Sequence, residues 1–449
     1  MKNIYDKKGF ALASIMIIIS LIAFFYMTLL VISQNDLIMS NRRCNSMRAH
    51  YLADAGIADG YAHLRDSAGN YSFAALSYPV GEGKDTGKYN VTVALKTSGT
   101  WPIYTITSKG TYGGVSRTLR LTVQLTSFSH WAYITNTEIC YYPGWEGYAS
   151  YWVTGNIVNG PLQVNDNLYI AGNPIFNGAV SVVSDHVTYY DAPGVDKPLF
   201  NEGLWVGVPT VPLPDPAPLL SSICDMSKQS GGMYLDGVDR SDPNNPKPGL
   251  HSTHNAVAIE FFSNGTMNLT QNGTTSNMPL PSNGAIYVSG GEVEVKGVLN
   301  GQVTIGCDQN IYTTDSIIYH DTSPGTPNPA STDVLGLVAK TNVVFPNNLP
   351  RGDKEIDAYI VALNGSFYLE NMGSLAYGDV RGNLVQYGGV MAQWSATVFG
   401  CFDGPGNLLY GYLQIPYYDD RLNTLIPPGF TPARDYIGPK YRRVFLEEL

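Results

Sequence analysis

The sequence predicts an α+β protein with a long N-terminal helix, an antiparallel β-meander and a large, mostly-β C-terminal domain. Three observations lead to this fold class. The first of 28 prolines is Pro79, so the preceding segment can form a long, uninterrupted helix. The chain contains 47 glycines and only 14% charged residues, a composition typical of strands and turns. Segments that alternate apolar and polar residues follow the helix and indicate strands.

Length and charge exclude several classes of protein. At about 150 residues per domain, 449 residues correspond to roughly three domains, which excludes one small domain. Aromatic residues make up 12% of the chain, so global disorder is not expected. The net charge is −10 with only 27 Lys and Arg residues, and we therefore expect no nucleic-acid partner.

The cysteines give no indication of a metal or cofactor site. They lie far apart in the sequence, without a CxxC pair or a close Cys/His group, which argues against zinc and iron–sulfur centres. We therefore expect no cofactor. An odd count in an exported protein allows two disulfides at most, and five free thiols are the alternative. The five are Cys44, Cys140, Cys224, Cys307 and Cys401.

A membrane-spanning helix is expected at the N-terminus. Residues 10–33 form an uncharged, mostly apolar run of 24 residues, and as a helix they would extend ~36 Å, enough to cross a bilayer. Lys2, Lys7 and Lys8 precede the run, so the positive-inside rule places the short N-terminal end in the cytoplasm and the bulk of the protein outside it. The run is long for a secretory signal and does not end in a small-x-small cleavage site, which favours a retained anchor.

The helical pattern continues beyond the apolar run. Small and medium apolar residues recur at spacings of three or four and form one stripe, while the intervening charges balance. The stripe packs either on the protein's own domain or on neighbouring helices of the same kind. Its members are Met47, Tyr51, Ala55, Ala58 and Ala62.

These residues carry a resemblance to a known family. Lys7-Lys8-Gly9-Phe10 and the apolar run resemble the leader and cleavage site of type IV prepilins and of the pseudopilins of type II secretion. Residues 41–65 (NRRCNSMRAHYLADAGIADGYAHLR) are similar to the N-terminal region of PilX-type minor pilins. The resemblance implies that a prepilin peptidase recognises Lys8, Gly9 and Phe10, cuts after Gly9, and that the new Phe10 amine is methylated.

The resemblance also implies a role for the apolar helix in fibre assembly. Most major pilins carry Glu at the fifth residue after the cut, where it neutralises the terminal amine of a neighbour, but this chain has Ser14 there. This departure implies a minor, tip or initiating subunit. The side chains expected to pack in the fibre are Ile15, Ile18, Leu21, Ile22, Phe25 and Leu29.

Three alternating segments follow the helix and predict an antiparallel meander, at residues 88–96, 102–108 and 115–125. Residues 104–123 (YTITSKGTYGGVSRTLRLTV) are similar to the post-helix region of PilX-type proteins. The predicted organisation is a leader at 1–9, a transmembrane and assembly helix at 10–66, a pilin-like meander at 67–126 and a β-rich surface domain at 127–449.

The β-rich domain has the pattern of a β-helix or solenoid. Residues 155–183 and 283–306 consist of strands of three to five residues separated by Gly, Asn or Asp, as in a parallel β-helix. An irregular β-sandwich is the alternative. Pro/Gly-rich stretches near 206–220 and 239–277 are expected to form surface excursions.

One aromatic cluster is the first candidate for a ligand surface, because flat aromatic faces stack on sugar rings. Packing in the core is the alternative explanation for it. The cluster consists of Tyr141, Tyr142, Trp145, Tyr148, Tyr151 and Trp152.

Catalytic chemistry finds little support in the sequence. β-Helix folds often carry polysaccharide lyases and hydrolases, so the alternative to a structural protein is a membrane-anchored carbohydrate-active enzyme. Its candidate carboxylates are Asp419 and Asp420, but adjacent residues of a strand point to opposite faces, and a salt bridge or turn cap explains them better. His251 and His254 lie in a Pro/Gly-rich loop and are expected to be surface histidines. We therefore expect no enzymatic activity.

The sequence thus predicts a minor pilin-like structural subunit of a type IV pilus or a secretion pseudopilus. The expected location is the inner membrane before assembly and the cell surface afterwards, with the β-domain displayed for adhesion or assembly initiation. The expected partners are other pilins or pseudopilins, the prepilin peptidase, the membrane, and a surface polysaccharide or a host or cell surface. A single-pass surface protein that does not assemble remains a further alternative.

Overall fold

The computed structural model describes residues 4–66, 76–80, 86–97, 102–125, 127–141, 146–242, 244–251, 256–322, 328–395, 399–403, 408–430 and 441–448. Side chains are not described for residues 4–11, 66, 76–78, 80 and 441–445. The chain forms two compact units. Unit 1 comprises Met1–Leu125 and Tyr441–Leu449, and unit 2 comprises Thr126–Lys440.

Unit 1 is a long helix packed on a five-stranded antiparallel sheet. The first four strands of the sheet follow one another in chain order, and the C-terminal strand of the chain is the fifth. The predicted helix and the three predicted strands are all present. With strands numbered along the whole chain, the elements of unit 1 are α1 (Ile4–Asp66), β1 (Leu76–Val80), β2 (Gly87–Thr97), β3 (Ile103–Tyr112), β4 (Val115–Leu125) and the C-terminal β32 (Tyr441–Glu448).

The last strand corrects the predicted domain boundary. Instead of ending in the β-rich domain at 127–449, the chain returns to unit 1, where Tyr441 pairs with Leu125 at the point where β4 ends. An ion pair between Arg120 and Glu447 (2.9 Å) joins the two strands. Unit 2 is therefore inserted between two neighbouring strands of one sheet. The sequence of β32 (YRRVFLEE) does not alternate between apolar and polar residues, so it gives no indication of a strand or of the sheet that it joins.

The C-terminal half of α1 packs closely on the sheet through small residues. Ala49, Ala53 and Ile57 are buried on its inner face. A Cβ added at Gly110 of β3 would lie 2.0 Å from the Ala49 carbonyl oxygen, so only glycine allows this approach of strand to helix.

The predicted apolar stripe lies on the other side of α1. At 100° per residue, the stripe from Met47 to Ala62 is nearly opposite the face that contacts the sheet. Met47 and Tyr51 are 60% and 65% exposed, and Ala55, Ala58 and Ala62 are exposed too. Packing of this stripe on its own domain was therefore the wrong alternative, because the buried face begins with Ala49 and Ala53 instead.

The N-terminal half of α1 exposes its apolar side chains along its described length. Within Leu12–Arg65 the helix is long and apolar enough to cross a membrane, and its most apolar stretch has no buried residue. Its hydroxyl groups find partners within the helix, since Ser20 donates to the Met16 carbonyl (2.8 Å) and Thr28 donates to that of Phe24 (2.5 Å). Such internal bonds are what a helix in lipid requires.

Unit 2 is built mainly from short strands. Its elements are β5 (Tyr133–Thr135), β6 (Trp152–Val153), β7 (Ile157–Val158), β8 (Leu162–Val164), β9 (Leu168–Ala171), β10 (Ile175–Phe176), β11 (Val180–Val182), β12 (Val187–Tyr189), β13 (Leu199–Phe200), β14 (Leu204–Val206), α2 (Pro216–Lys228), β15 (Met233–Asp236), β16 (Val238–Asp239), β17 (Lys247–Pro248), β18 (Val257–Phe262), β19 (Thr266–Gln271), β20 (Thr274–Pro279), β21 (Ala285–Ser289), β22 (Val293–Leu299), β23 (Gln302–Cys307), β24 (Ile311–Tyr319), β25 (Val334–Ala339), β26 (Val343–Phe345), β27 (Lys354–Ala362), β28 (Phe367–Leu369), β29 (Val380–Ala392), β30 (Gly400–Phe402) and β31 (Leu408–Tyr418). Short 3₁₀ helices lie at Phe128–His130, Met372–Ser374 and Asp420–Asn423.

The strands stack in parallel, as predicted for a solenoid and not for a sandwich. On one face β21, β23, β25, β27 and β29 pair successively, and on the next face β22, β24, β26 and β28 do so. Successive turns place apolar residues above one another in the core. Such an inward row consists of Val293, Ile311, Val343 and Phe367, all fully buried.

The solenoid consists of two runs that meet in the middle of the stack. The first run starts at β5 and continues through β8, β11 and β14. The second run starts at β15 and reaches β29. There β29 pairs in parallel with β31 along its N-terminal part and with β5 at its C-terminal end, where Val390 lies beside Tyr133. The first strand of unit 2 thus stacks on the last turn of the second run.

The chain between the runs includes the predicted excursion near 206–220. Its C-terminal part is helical, because Asp215 caps α2 and Pro216 and Pro218 lie in the first turn, where no backbone donor is needed. Asn165 fixes the extended part with two bonds to the backbone of Val211 (2.6 and 3.0 Å).

The predicted excursion near 239–277 is also largely ordered. Beyond the short pair β16–β17, it contains β18, which joins the parallel stack beside β22, and β19 and β20, which extend it as an antiparallel meander. Asn264 and Gly265 turn the chain between β18 and β19. The Asn, Gly and Thr residues taken as signs of a loop form turns and exposed strand positions instead.

The close approach of α1 to the sheet can be tested at Gly56. A Cβ there would lie 2.1 Å from Ser108 Oγ, so Gly56→Val should destabilise unit 1 by about 1–3 kcal/mol, although valine has the better helix propensity. The measurement is hydrogen–deuterium exchange in the full chain, in which the backbone amides of β3 should exchange faster in Gly56→Val than in the parent. Ala58→Val, on the exposed side of the same turn, is the matched control and should leave β3 protected. Equal protection of the β3 amides in Gly56→Val and Ala58→Val would contradict the close packing of Gly56 on β3.

Candidate functional site

The predicted aromatic cluster divides between the core and a pocket. The Trp152 side chain is 2% exposed and meets the rings of Tyr133 and Phe176 edge-on, so it belongs to the core and not to a ligand surface. Tyr141 stacks on Trp394 with ring centroids 5.0 Å apart. The predicted Tyr142 and Trp145 lie outside the described residues. Tyr148 and Tyr151 line a pocket.

This pocket, the tyrosine pocket, has a volume of about 380 Å³, within the range of small-molecule sites. Segments that follow β5 form one wall, and Met372 together with segments that follow β29 forms the other. It therefore lies where the two runs of the solenoid meet. Its lining residues are Cys140, Tyr148, Ala149, Ser150, Tyr151, Val153, Asn156, Tyr190, Met372, Phe399, Gly400, Cys401, Phe402, Tyr412 and Gln414.

Two exposed tyrosines and one half-buried tyrosine form the aromatic side of the pocket. Tyr148 and Tyr190 are 63% and 62% exposed. The Tyr151 ring meets that of Tyr190 at 88°, with centroids 5.6 Å apart, and that of Tyr169 at 62°. Burial and the neighbouring Tyr169 and Tyr190 raise the pKa of Tyr151, so its hydroxyl stays protonated at neutral pH.

Backbone and side-chain bonds fix the polar side of the pocket. The Asn156 carbonyl oxygen Oδ1 accepts from the Val153 backbone N–H (2.7 Å). The Gln414 side chain is 6% exposed, and its Nε2 donates to Gln386 Oε1 (3.0 Å). Both amides are thereby held in one orientation.

The pocket is electrically neutral. No lining residue is Asp, Glu, Lys, Arg or His among the residues that the structure describes. Burial, reinforced by the nearby Glu138, raises the pKa of Cys140 to about 11, so this group is a thiol and not a thiolate. All five cysteines are free, including Cys401 in the pocket wall.

Glu138 lies beside the pocket but is completely buried. It accepts hydrogen bonds from the hydroxyl groups of Tyr133 (2.9 Å) and Thr135. Burial outweighs these bonds and raises the pKa of the Glu138 carboxyl to about 7.

Of the two candidate catalytic carboxylates, Asp420 is exposed and Asp419 has structural partners. Asp419 is fully buried and receives two bonds from the Arg421 guanidinium (2.9 and 2.7 Å) and one from the Tyr387 hydroxyl (2.9 Å). It also caps the 3₁₀ helix that begins at Asp420. This is the predicted salt bridge and turn cap, and it leaves Asp419 without access to a substrate.

The predicted surface histidine His251 is partly buried. Its Nδ1 lies 2.8 Å from Glu294 Oε1, and its ring stacks on Tyr312 at 4.2 Å. Hydrogen bonding to Glu294 raises its pKa. His254 lies outside the described residues.

One further group could hold a cation. The ligand atoms of His320, Asp321 and Asp333 lie within 4.8 Å of one another. The Asp333 carboxylate, however, already accepts from the Gly301 backbone (2.8 Å) and from His320 Nδ1 (2.8 Å). This arrangement satisfies Asp333 without a metal.

The predicted assembly residues lie on α1. Lys8, Gly9 and Phe10 fall where only the backbone is described, and it is helical. Ser14 is half-buried. The remaining residues, Ile15, Ile18, Leu21, Ile22, Phe25 and Leu29, are 50–64% exposed.

Comparisons with known proteins give limited information. A family model described as Domain of unknown function (DUF4900) matches residues 88–184, from β2 into the first turns of unit 2. No curated protein matches the sequence. Among solved structures, the crystal structure of the competence-associated pilin ComZ from Thermus thermophilus aligns with 12% identity and a TM-score of 0.36, over 90% of this chain and 98% of that chain.

The titration of Glu138 predicts how the stability of unit 2 depends on pH. Its pKa is near 7 in the folded chain and 4.5 ordinarily, so the folded state holds an extra proton between these values, and stability falls as the pH rises through this window. From pH 5 to pH 8 the loss of stability due to Glu138 should be about 2.5 kcal/mol. Denaturant unfolding followed by tryptophan fluorescence measures it, since five of the six tryptophans lie in unit 2.

Glu138→Gln imitates the protonated acid and should remove this share of the pH dependence. Glu202→Gln changes an exposed glutamate and serves as the control, with an unchanged pH dependence. If Glu138→Gln and Glu202→Gln lose the same stability between pH 5 and pH 8, Glu138 does not titrate in this range.

Proposed function

We propose that this chain is a minor-pilin-like structural subunit of a type IV pilus or a related pseudopilus, which carries unit 2 to the cell surface for adhesion or assembly initiation. The observation that carries the proposal is the pair of opposite faces on α1. One face packs on the sheet of unit 1, and the other exposes a continuous stripe of small and medium apolar residues.

The exposed stripe has the properties of a helix–helix contact. Alanines at positions 55, 58 and 62 allow two backbones to approach closely. The stripe lies on the same helix as the apolar segment at residues 12–33, from which residues 34–46 separate it, so contacts with sister helices could replace lipid contacts along that segment. Cys44, which is exposed, precedes Met47 at helical spacing on the same side.

The resemblance of the leader supports the same function. Lys8, Gly9 and Phe10 would form the recognition site of a prepilin peptidase, and Ser14 would mark a subunit that lacks the usual charge partner. Before processing, the chain would be a single-pass protein of the inner membrane with its bulk on the extracytoplasmic side. We propose a structural role without enzymatic activity, because Asp419, one of the two candidate carboxylates, is buried in its pair with Arg421 and cannot act together with the exposed Asp420.

The first experiment determines the N-terminus of the surface-exposed protein by mass spectrometry. We expect a chain that starts at a methylated Phe10. Gly9→Val should block the cut, because a side chain at this position keeps the peptidase backbone away. Asp6→Ala, in the same leader, is the control and should be processed normally. An intact Met1 in the surface-exposed protein would refute cleavage.

A second experiment tests assembly through the exposed stripe. Ala58→Lys adds a charge where a sister helix would pack, and desolvating that charge is costly, so the share of protein in sheared surface fibres should fall on the order of tenfold. Ala58→Ser preserves the size of the residue and should assemble normally. Unchanged β3 protection in hydrogen–deuterium exchange shows that the Ala58→Lys chain is folded. Normal assembly of folded Ala58→Lys would exclude this face as the contact.

A further inference from the structure

We propose that the tyrosine pocket binds a neutral saccharide of one or two rings. This inference deepens the adhesion role of the proposed function by assigning the displayed unit a class of ligand. It rests on the aromatic rings of the pocket, the fixed amides among its lining residues and the absence of charge from the described lining.

The aromatic walls suit a flat, partly apolar ring. Tyr148 and Tyr190 are 63% and 62% exposed, and the perpendicular rings of Tyr151 and Tyr190 form a corner. The C–H face of a pyranose can stack on one ring while its edge contacts the other. Tyrosine is rigid, so ordering it on binding costs little entropy.

Two amide side chains of the lining supply the hydrogen bonds that orient a polyol. Asn156 and Gln414 are each tied to the protein by one bond, at 2.7 and 3.0 Å, and each amide retains further hydrogen-bonding capacity. The hydroxyl of Tyr190 offers both donor and acceptor at the mouth. Few polar groups in fixed positions among apolar walls are typical of a specific ligand site.

The electrostatics select for a neutral sugar. No cation lines the described part of the pocket, the chain has a net charge of −10, and Glu138 lies close behind the wall. A uronic or sialic acid would bring its carboxylate into this pocket without a counter-charge. A cationic ligand would find no ionised carboxylate in the lining either.

Binding can be measured on the full chain in nanodiscs, which avoids sugar-based detergents. The probes are maltose, cellobiose, lactose and N,N′-diacetylchitobiose, with digalacturonate as the acidic comparison, and the measurement is isothermal titration calorimetry with saturation-transfer NMR. At least one neutral probe should bind saturably, and digalacturonate should bind at least tenfold more weakly. Failure of all four neutral probes to bind, or equal binding of digalacturonate, would overturn the proposal.

Variants locate the binding site. Tyr190→Ala removes an exposed ring and should weaken binding at least tenfold, whereas Tyr190→Phe retains the stacking face and should lose less. Tyr377→Ala, which removes a tyrosine that is 80% exposed outside the pocket, should bind as the parent does. Parent-like binding by Tyr190→Ala would place any bound sugar elsewhere and refute this site.

The outcome is independent of fibre assembly. The measurement uses isolated chains, so a failure to bind saccharide leaves the assembly role intact. Conversely, Ala58→Lys should lose assembly and retain saccharide binding, because Ala58 lies in unit 1 and the pocket in unit 2.

Discussion

Parallel backbone pairing is the constraint on which unit 2 depends. Each strand takes its register from the turn below it, so side chains that point inward on one turn continue to do so on the next. The stack of Val293, Ile311, Val343 and Phe367 is the result. The same register decides which residues face outward at a given level, and it therefore determines the composition of the tyrosine pocket.

The junction between the two runs makes the pocket possible. In a solenoid whose turns follow one another in chain order throughout, neighbouring turns are close in sequence. Here the pairing of β29 with β5 brings the segment after β5 against the segment after β29, although about half of the chain separates them. Irregular segments from two distant parts of the sequence meet there and leave a space that regular turns would fill.

Much of the fold could be predicted from local patterns, and most of the pocket could not. The proline-free segment and the alternating strands indicated α1 and β2–β4, and short strands with Gly and Asn turns indicated the solenoid. The stripe from Met47 was visible, but the better-packed face of Ala53, Gly56 and Gly60 was not, because glycine and alanine carry little hydrophobic signal. Tyr148 and Tyr151 were found from their local cluster. Tyr190 and Gln414 were missed, since only the pairing of distant turns brings them to the same place.

The return of the chain to β32 has a consequence for biosynthesis. The ribosome delivers β32 last, after the whole of the inserted unit, so the sheet beside α1 receives its edge strand only when translation is complete. A prematurely terminated chain leaves β4 with an unpaired edge, a feature that favours aggregation and proteolysis. The topology thus makes the completion of the unit 1 sheet depend on the synthesis of all of unit 2. It also confines the insertion to one pair of neighbouring strands, β4 and β32, where one inserted unit can replace another during evolution.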